Sequence, residues 1–578
     1  MGKKVLIVGG VAGGASAAAR LRRLEEDTEI ILLERDGYIS FANCGLPYYI
    51  GDTIKERNQL LIQTPQSFHA RFKVDVRINS EVVAVDAINK KIKIDSKTRG
   101  IYEESYDYLV LSPGAKSIKP NIPGIESNKI FTLRNIPDMD KIKASIDKGA
   151  KSAVVIGGGY VGVEMAENLR NKGLQVTLVE AALHILAPFD TEMVMIAEKV
   201  MQEKGIDLLL GDGVKGFNDK EDFMEIILKS DTKLKADVVI LAIGVMPDTH
   251  FLKDSGIALR DRGHIIVDDK MATNMEGIYA VGDAVEVVDF INNYSTAVPL
   301  AGPANKQGRI AADNIAGIHT TYKGTQGTSI IKIFSLTAAN TGSNERTLKR
   351  LNIPYKVIFI HPPSHASYYP GAQSITLKLI FNYEGKILGA QAMGYEGVDK
   401  RIDVIATVIR LKGTVWDLTE LELCYAPPFS SAKDPVNMAG YVAENVLAGR
   451  THTCTAEEFL SDTEKEQGLV LDVRTEMEFN SGHIEGSFNI PLDKLRGRLN
   501  ELDKNKEIFI YCQVGLRGYI ADRILSQKGF KTKNLTGGYK SAAVLNILPM
   551  AFQKNSPKNS SEGAIDPDTQ IFKSDKIV

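Results

Sequence analysis

Four cysteines are spread over the 578 residues, at positions 44, 424, 454 and 512, and no two are spaced C-x-x-C. That spacing gives neither a disulfide framework nor a zinc site, and the nine histidines show no metal-ligand pattern, so no metal is expected. Cys424 and Cys454 have no distinctive setting. The other two do. Cys44 lies in 40-SFANCGLPYY-49, where a helix beginning with Pro47 in its first turn would set positive dipole and free N–H groups against the sulfur. A free thiol, with a pKa of about 8.5, needs such help to act as a thiolate at neutral pH. Cys512 ends the apolar run 507-EIFIY-511 and opens 512-CQVGLR-517, with a helix expected to begin near Gly518. Backbone N–H groups curling around that sulfur form an anion nest, to which Arg517 adds charge, and this suits a thiolate or persulfide.

Such sulfurs need elements that bring electrons to them. The segment 3-KKVLIVGGVAGGASAAARLRRL-24 reads as a strand, a glycine turn and an Ala-rich helix, followed by a second strand 29-EIILLER-35. Gly9 and Gly14 hold two positions of a dinucleotide fingerprint, with Val11 at the middle one; Glu34 ends the next strand, beside Arg35. Such a turn offers N–H groups to a pyrophosphate, and the acid accepts from ribose hydroxyls. A second copy, 152-SAVVIGGGYVGVEMAENLRNKGLQVTLVE-180, is complete, with Gly157, Gly159, Gly162 and Glu180. An acid at 180 followed by Ala181 and Ala182 favours NADH, with NADPH the alternative, because it repels a 2′-phosphate.

Length alone predicts several domains. The hydrophobic share of 44% and charged share of 25% are those of globular proteins, and the net charge of −2 points to no nucleic-acid or membrane partner. The N-terminus lacks a signal-peptide pattern and no run of about 18 apolar residues occurs. With the cysteine usage this leads to an expected cytoplasmic location.

The strands 106-YDYLVLSPGAKS-117 and 237-DVVILAIGVMPDT-249 stop at glycines, the first at Gly114, and 273-TNMEGIYAVGDA-284 carries Gly282 and Asp283. Together with the two turns, these resemble the pyridine nucleotide-disulfide oxidoreductase family over residues 1 to about 450. The resemblance implies an α/β chain with two Rossmann-like domains, one for FAD (1–118 and 246–322, Asp283 on the ribityl chain) and one for NAD(P)H (119–245). An α+β dimerisation domain (323–450) follows and makes a homodimer. Family members such as glutathione reductase use C-x4-C, but the residue five after Cys44 is Tyr49. A lone cysteine works through a mixed disulfide, a persulfide or a sulfenic acid. The NADH peroxidase branch carries a histidine where this chain has Ala12, which weighs against an oxidase or peroxidase; a redox sensor is a further alternative.

SFANCGLPYY and 421-LELCYAPPFSSAKD-434 are similar to coenzyme A-disulfide reductases. That likeness implies a mixed disulfide of Cys44 with CoA, with Ser40 and Asn43 at the thiol end. Arg20 and Arg23 are implied on CoA phosphates, and Asn305 and Lys433 on the CoA arm. Tyr425 and either Tyr368 or Tyr369, with Tyr368 favoured, are implied to reach the sulfur across a dimer. Residues 455–545, with 472-DVR-474, GHIEGS and 534-NLTGGY-539, resemble a rhodanese domain whose six-residue Cys512 loop has the sulfur-transfer length. The implied substrates are CoA disulfide, CoA persulfide or polysulfide, with Cys512 carrying sulfane sulfur. Residues 546–578 are expected to be a disordered tail.

Overall fold

The computed structural model describes residues 2–466, 468–545 and 550–551. They form two compact units, residues 1–187 with 200–327, and residues 188–199 with the chain from 328.

The first unit holds two five-stranded parallel sheets. One runs Ile278–Ala280, Tyr108–Leu111, Lys4–Val8, Glu29–Leu33, Asp75–Arg77. The other runs Ile206–Leu210, Gln175–Glu180, Ser152–Ile156, Val238–Leu241, Ile130–Phe131. Strands such as VLIV and IILL are apolar throughout because helices cover both faces of a parallel sheet. Each sheet is accompanied by a three-stranded antiparallel meander, Ser80–Asp86 to Gly100–Ser105 in one case and Val214–Asp219 to Lys233–Ala236 in the other. In the first, the Ala-rich helix Ala12–Leu24 packs on Ala301–Ile315 so closely that a Cβ on Gly308 would lie 2.3 Å from the Gly13 carbonyl oxygen.

The second unit contains a five-stranded antiparallel sheet, Ser329–Ile333, Leu336–Gly342, Ile387–Gly394, Thr376–Phe381, Lys356–Ile360. It also contains a parallel sheet, Thr453–Cys454, Thr532–Leu535, Ile508–Tyr511, Leu469–Asp472, Phe488–Asn489. Residues 188–199, expected within the nucleotide segment 119–245, join this unit instead. The reason is electrostatic: Lys378, fully buried in the antiparallel sheet, bonds the carboxylates of Asp190 (2.7 Å), Glu192 and Glu345. Burial works against its charge, and the three carboxylates more than restore it. Of the expected tail, Met550–Ala551 instead pair antiparallel with His483–Ile484; its other residues lie outside the described residues.

Candidate active site

The two glycine turns are built alike. Gly9 has φ +93°, and a Cβ there would sit 2.0 Å from the Ser112 carbonyl oxygen; one on Gly14 would sit 1.9 Å from that of Gly9. Gly157 has φ +108°, and Gly162 approaches the Gly157 carbonyl as Gly14 does that of Gly9. The space beside Gly159 is open for 4 Å, which leaves room for a pyrophosphate. The strand-end acids brace these turns. Glu34 accepts from the N–H groups of Gly10 (2.8 Å) and Asp36 (3.1 Å), and Glu180 from those of Gly158 (2.6 Å) and Ala182 (2.8 Å). Burial raises the Glu34 carboxyl above its ordinary range, against the pull of its two donors.

From the first turn a cavity of about 1040 Å³ runs past Glu34 and Asp283 to Cys44. Glycine turn, ribose-side acid and elongated cavity fit an extended dinucleotide such as FAD. Gly114, with φ +68°, lines it; Gly282 donates its N–H to Gln307 (2.7 Å). Asp283 accepts from Arg134 (2.6 Å), a residue that sequence reasoning missed. Arg35, at the cavity rim, is paired with Asp248.

Cys44 sits in the single turn Asn43–Gly45, and the helix Leu46–Ile50 follows with Pro47 in its first turn, as the sequence implies. The electrostatic consequence differs from expectation. Burial pushes the Cys44 thiol up, the carboxylates of Glu164 and Asp283 push it further, and Arg134 only partly opposes them. A five-residue helix has too few peptide dipoles to outweigh this. The sulfur is nonetheless reachable through the cavity. Glu164, on the helix Tyr160–Asn171, is itself pushed up to about 7 by burial and by Glu167, although the Tyr48 hydroxyl donates to it. Tyr48, two residues into the Cys44 helix, is pushed up to about 12 by burial and those same acids. This Tyr48–Glu164 pair was not foreseen; Glu164 is half-buried on its helix, and no motif in the sequence links it to Cys44.

Ser40 adopts φ +44°, held by its N–H on Gly10 (2.8 Å) and by its carbonyl, which accepts from Ile62 (3.1 Å) and Gln63 (3.3 Å). Ser40, Asn43 and Asn305 line the cavity with Cys44, Asn305 accepting from Ser16 (2.7 Å). Arg20 is turned to Asp313 (2.6 Å), so its charge is committed to helix packing, whereas Arg23 is exposed. In the second unit Lys433 is exposed, and the hydroxyls of Tyr368 and Tyr425 are hydrogen-bonded at 2.8 Å on the surface. Tyr369 instead lies edge-on to His365, ring centroids 5.6 Å apart.

Cys512 is fully buried, and its Sγ accepts from the Gly515 N–H at 3.1 Å. Gly515 has φ +107°, which lets the loop turn its amide inward. The next helix is Leu516–Ser526, so it starts two residues before the expected Gly518 and places Arg517 in its first turn. Arg517 is bidentate to Glu478 (2.7 and 2.6 Å). A carboxylate thus engages the guanidinium expected to add charge at the loop, a partner that the loop sequence does not show. Burial raises the Glu478 carboxyl; Arg517 and the Thr475 N–H outweigh this and hold it at about 2. Arg474 lies beneath the loop, buried, bonded to Asp472 (2.8 Å) and Gln513 (3.1 Å) and stacked on Tyr539.

The pyridine nucleotide-disulphide oxidoreductase pattern matches residues 3–308, its dimerisation domain residues 328–435, and a rhodanese-like domain residues 455–543. A coenzyme A disulfide reductase of Staphylococcus haemolyticus is 37% identical over 77% of this chain and 100% of its own length. The crystal structure of reduced Bacillus anthracis CoADR-RHD is 51% identical with TM-score 0.93, covering 95% of this chain and 99% of that one. A NAD-dependent persulfide reductase from A. fulgidus is 36% identical with TM-score 0.86, covering 93% and 99%. No described helix is long and apolar enough to cross a membrane. The chain belongs to the pyridine nucleotide-disulphide oxidoreductase family, oxidoreductases that use a flavin and a nicotinamide nucleotide, and within it to the coenzyme A disulfide reductases that carry a C-terminal rhodanese domain.

Proposed function

We propose that this chain reduces CoA disulfide, CoA persulfide or polysulfide at Cys44, with NADH as the electron source and Cys512 as a carrier of sulfane sulfur. The supporting observation is that the dinucleotide-sized cavity ends at Cys44 while residues 1–327 contain no second cysteine. With no second cysteine within that unit, the sulfur bond to be broken comes from outside it. The names of the related reductases support CoA and persulfide as its source.

Cys44 thiolate attacks one sulfur of CoA disulfide; the Cys44–CoA disulfide forms and one CoA thiolate leaves. Gly9, Gly14, Glu34 and Asp283 would hold a flavin along this cavity, which would supply the electron pair from the nicotinamide nucleotide that returns the mixed disulfide to two thiolates. With CoA persulfide, Cys44 attacks the outer sulfur and CoA thiolate leaves; two electrons then split the Cys44 persulfide into thiolate and sulfide. Because its thiol is pushed up, Cys44 needs a proton acceptor before attack, and Glu164, near 7 and among the carboxylates that act on the thiol, is the candidate for that role. Ser40 and Asn43 orient the incoming thiol. Arg23, Asn305 and Lys433 bind the CoA arm, and Arg20 joins them by exchanging Asp313 for a phosphate. In a homodimer, the Tyr368–Tyr425 pair donates to the substrate sulfur held by the other copy. Glu180 selects NADH. The domains divide as FAD 1–118 and 246–322, NADH 119–245, dimerisation 323–450 and rhodanese 455–545, working in the reducing cytoplasm.

Denaturing mass spectrometry before and after NADH tests the proposal. A CoA adduct on the Cys44 peptide that NADH removes is expected. A sulfenic acid there, with NADH consumed only in air, would replace it with an oxidase.

A further inference from the structure

Residues 534–541 face two ways. Toward the Cys512 loop, the N–H groups of Tyr539 and Lys540 donate to the carbonyls of Cys512 (2.8 Å) and Gln513 (3.0 Å). Gly538, at φ +61°, comes so near that a Cβ would lie 2.3 Å from the Cys512 carbonyl oxygen. Away from the loop, the Thr536 hydroxyl accepts from the Phe359 N–H at 2.8 Å and lies 3.4 Å from the Phe359 carbonyl. The Ser541 hydroxyl bonds His361 Nε2 (2.9 Å), while His361 Nδ1 bonds the Thr376 hydroxyl (3.0 Å).

Phe359 belongs to Lys356–Ile360, the last strand of the antiparallel sheet. An edge strand presents N–H and C=O groups that need partners once buried. A threonine side chain supplies both, so pairing stops there and the sheet is joined to the rhodanese fold by a side chain. Gly537 makes the approach possible, since a Cβ there would lie 2.8 Å from that of Phe359. Burial pushes the His361 imidazole down to about 3, so it stays neutral, with one nitrogen free to accept and the other to donate.

We propose that residues 536–541 are a rigid strap that makes the dimerisation sheet part of the Cys512 site. Thr536, Ser541 and His361 are positioning residues: they act on the Cys512 loop through Gly538 and Tyr539. The Cys512 loop is then held in a fixed direction on the dimerisation sheet and does not swing on a tether. The strap's use in sulfur delivery rests on the function proposed above; its existence does not.

Hydrogen exchange on the full-length protein tests it, following peptides that span 356–361 and 508–518. Thr536→Val, which keeps shape and loses the hydroxyl, is expected to speed exchange at both ends about tenfold, and Thr536→Ser to restore both. Faster exchange at 356–361 with 508–518 unchanged overturns the strap, as does no change at either. If Thr536→Val unfolds the rhodanese core, Ser541→Ala decides on the same two peptides with a smaller expected rise. CoA-disulfide reduction is measured alongside and is expected to stay unchanged, while sulfane-dependent NADH oxidation falls about fivefold. Exchange that rises at both ends with the sulfane rate unaltered upholds the strap and removes Cys512 from the proposed route.

Discussion

Cys44 and Cys512 each precede a helix by a few residues, yet their sulfurs live under opposite conditions. Cys44 opens onto a large cavity and has carboxylates for neighbours. Cys512 is enclosed, and a backbone N–H points at its sulfur. Under the proposed function the first thiol needs access to a bulky external disulfide, and its acidic neighbours favour the protonated thiol. A sulfur that carries one extra atom needs donors around it and little else. The same element order, turn then helix, thus sets two sulfurs in opposite surroundings, and the difference comes from what lies around each turn.

Substituting each cysteine is the largest blow to this contrast. Cys44→Ser is expected to lower CoA-disulfide reduction at least about 1000-fold, since serine is a far poorer nucleophile toward sulfur. Cys512→Ser is expected to leave that rate unchanged and to abolish loading of sulfane sulfur from thiosulfate. Steady-state NADH oxidation with each substrate distinguishes them; equal losses on both substrates, or none, would end the division of labour.

Gly515→Ala attacks the enclosed sulfur alone. At φ +107° an alanine is strained, and relief of that strain turns the amide away from Sγ. Sulfane loading is expected to fall about tenfold to a hundredfold, in line with losing one preorganised donor. CoA-disulfide reduction should not move.

How much of this was legible in the sequence depends on how far apart the cooperating residues lie. Gly9, Gly14, Gly157 and Gly162 were readable because sterics at a tight turn allow little else, and a short motif contains the whole constraint. The assignment of Glu34 and Glu180 to the nucleotide side followed from their distance downstream. That both acids brace the turns through Gly10 and Gly158 needs coordinates to see. The Cys44–Tyr48–Glu164 cluster joins residues over a hundred positions apart. Periodicity tells that the helix Tyr160–Asn171 has a buried face but not which turn meets that face. Arg517 shows the reverse failure. Its place in the loop is readable, but its partner Glu478, which lies outside the loop, is not.

Glu164→Gln sharpens the contrast from the Cys44 side. Removing a negative neighbour lowers the Cys44 thiol pKa, so its alkylation at pH 7 should quicken about threefold to tenfold, while Cys512 is unaffected. The wild-type profile should also carry an inflection near pH 7, where Glu164 titrates, that the variant lacks. A Cys44 alkylation rate identical in both proteins would remove Glu164 from the site.

The smallest effect is expected at Glu478. Its carboxyl is held at about 2, below its ordinary value near 4.5, so ionised Glu478 favours the folded state. That contribution is fully present above pH 4.5 and is lost as pH falls through 2, because the unfolded chain binds the proton first. Glu478 and Arg517 are each partly open to water, so solvent screening cuts the pair to about 1 kcal/mol. Glu478→Gln should lower rhodanese-domain stability by that amount at pH 7 and flatten its acid dependence between pH 4.5 and 2. The variant also removes this ion pair from Arg517. If the guanidinium then turns to the loop, sulfane loading on Cys512 should rise about twofold; an unchanged rate would mean that the Gly515 amide and the loop backbone supply the sulfur's donors without it.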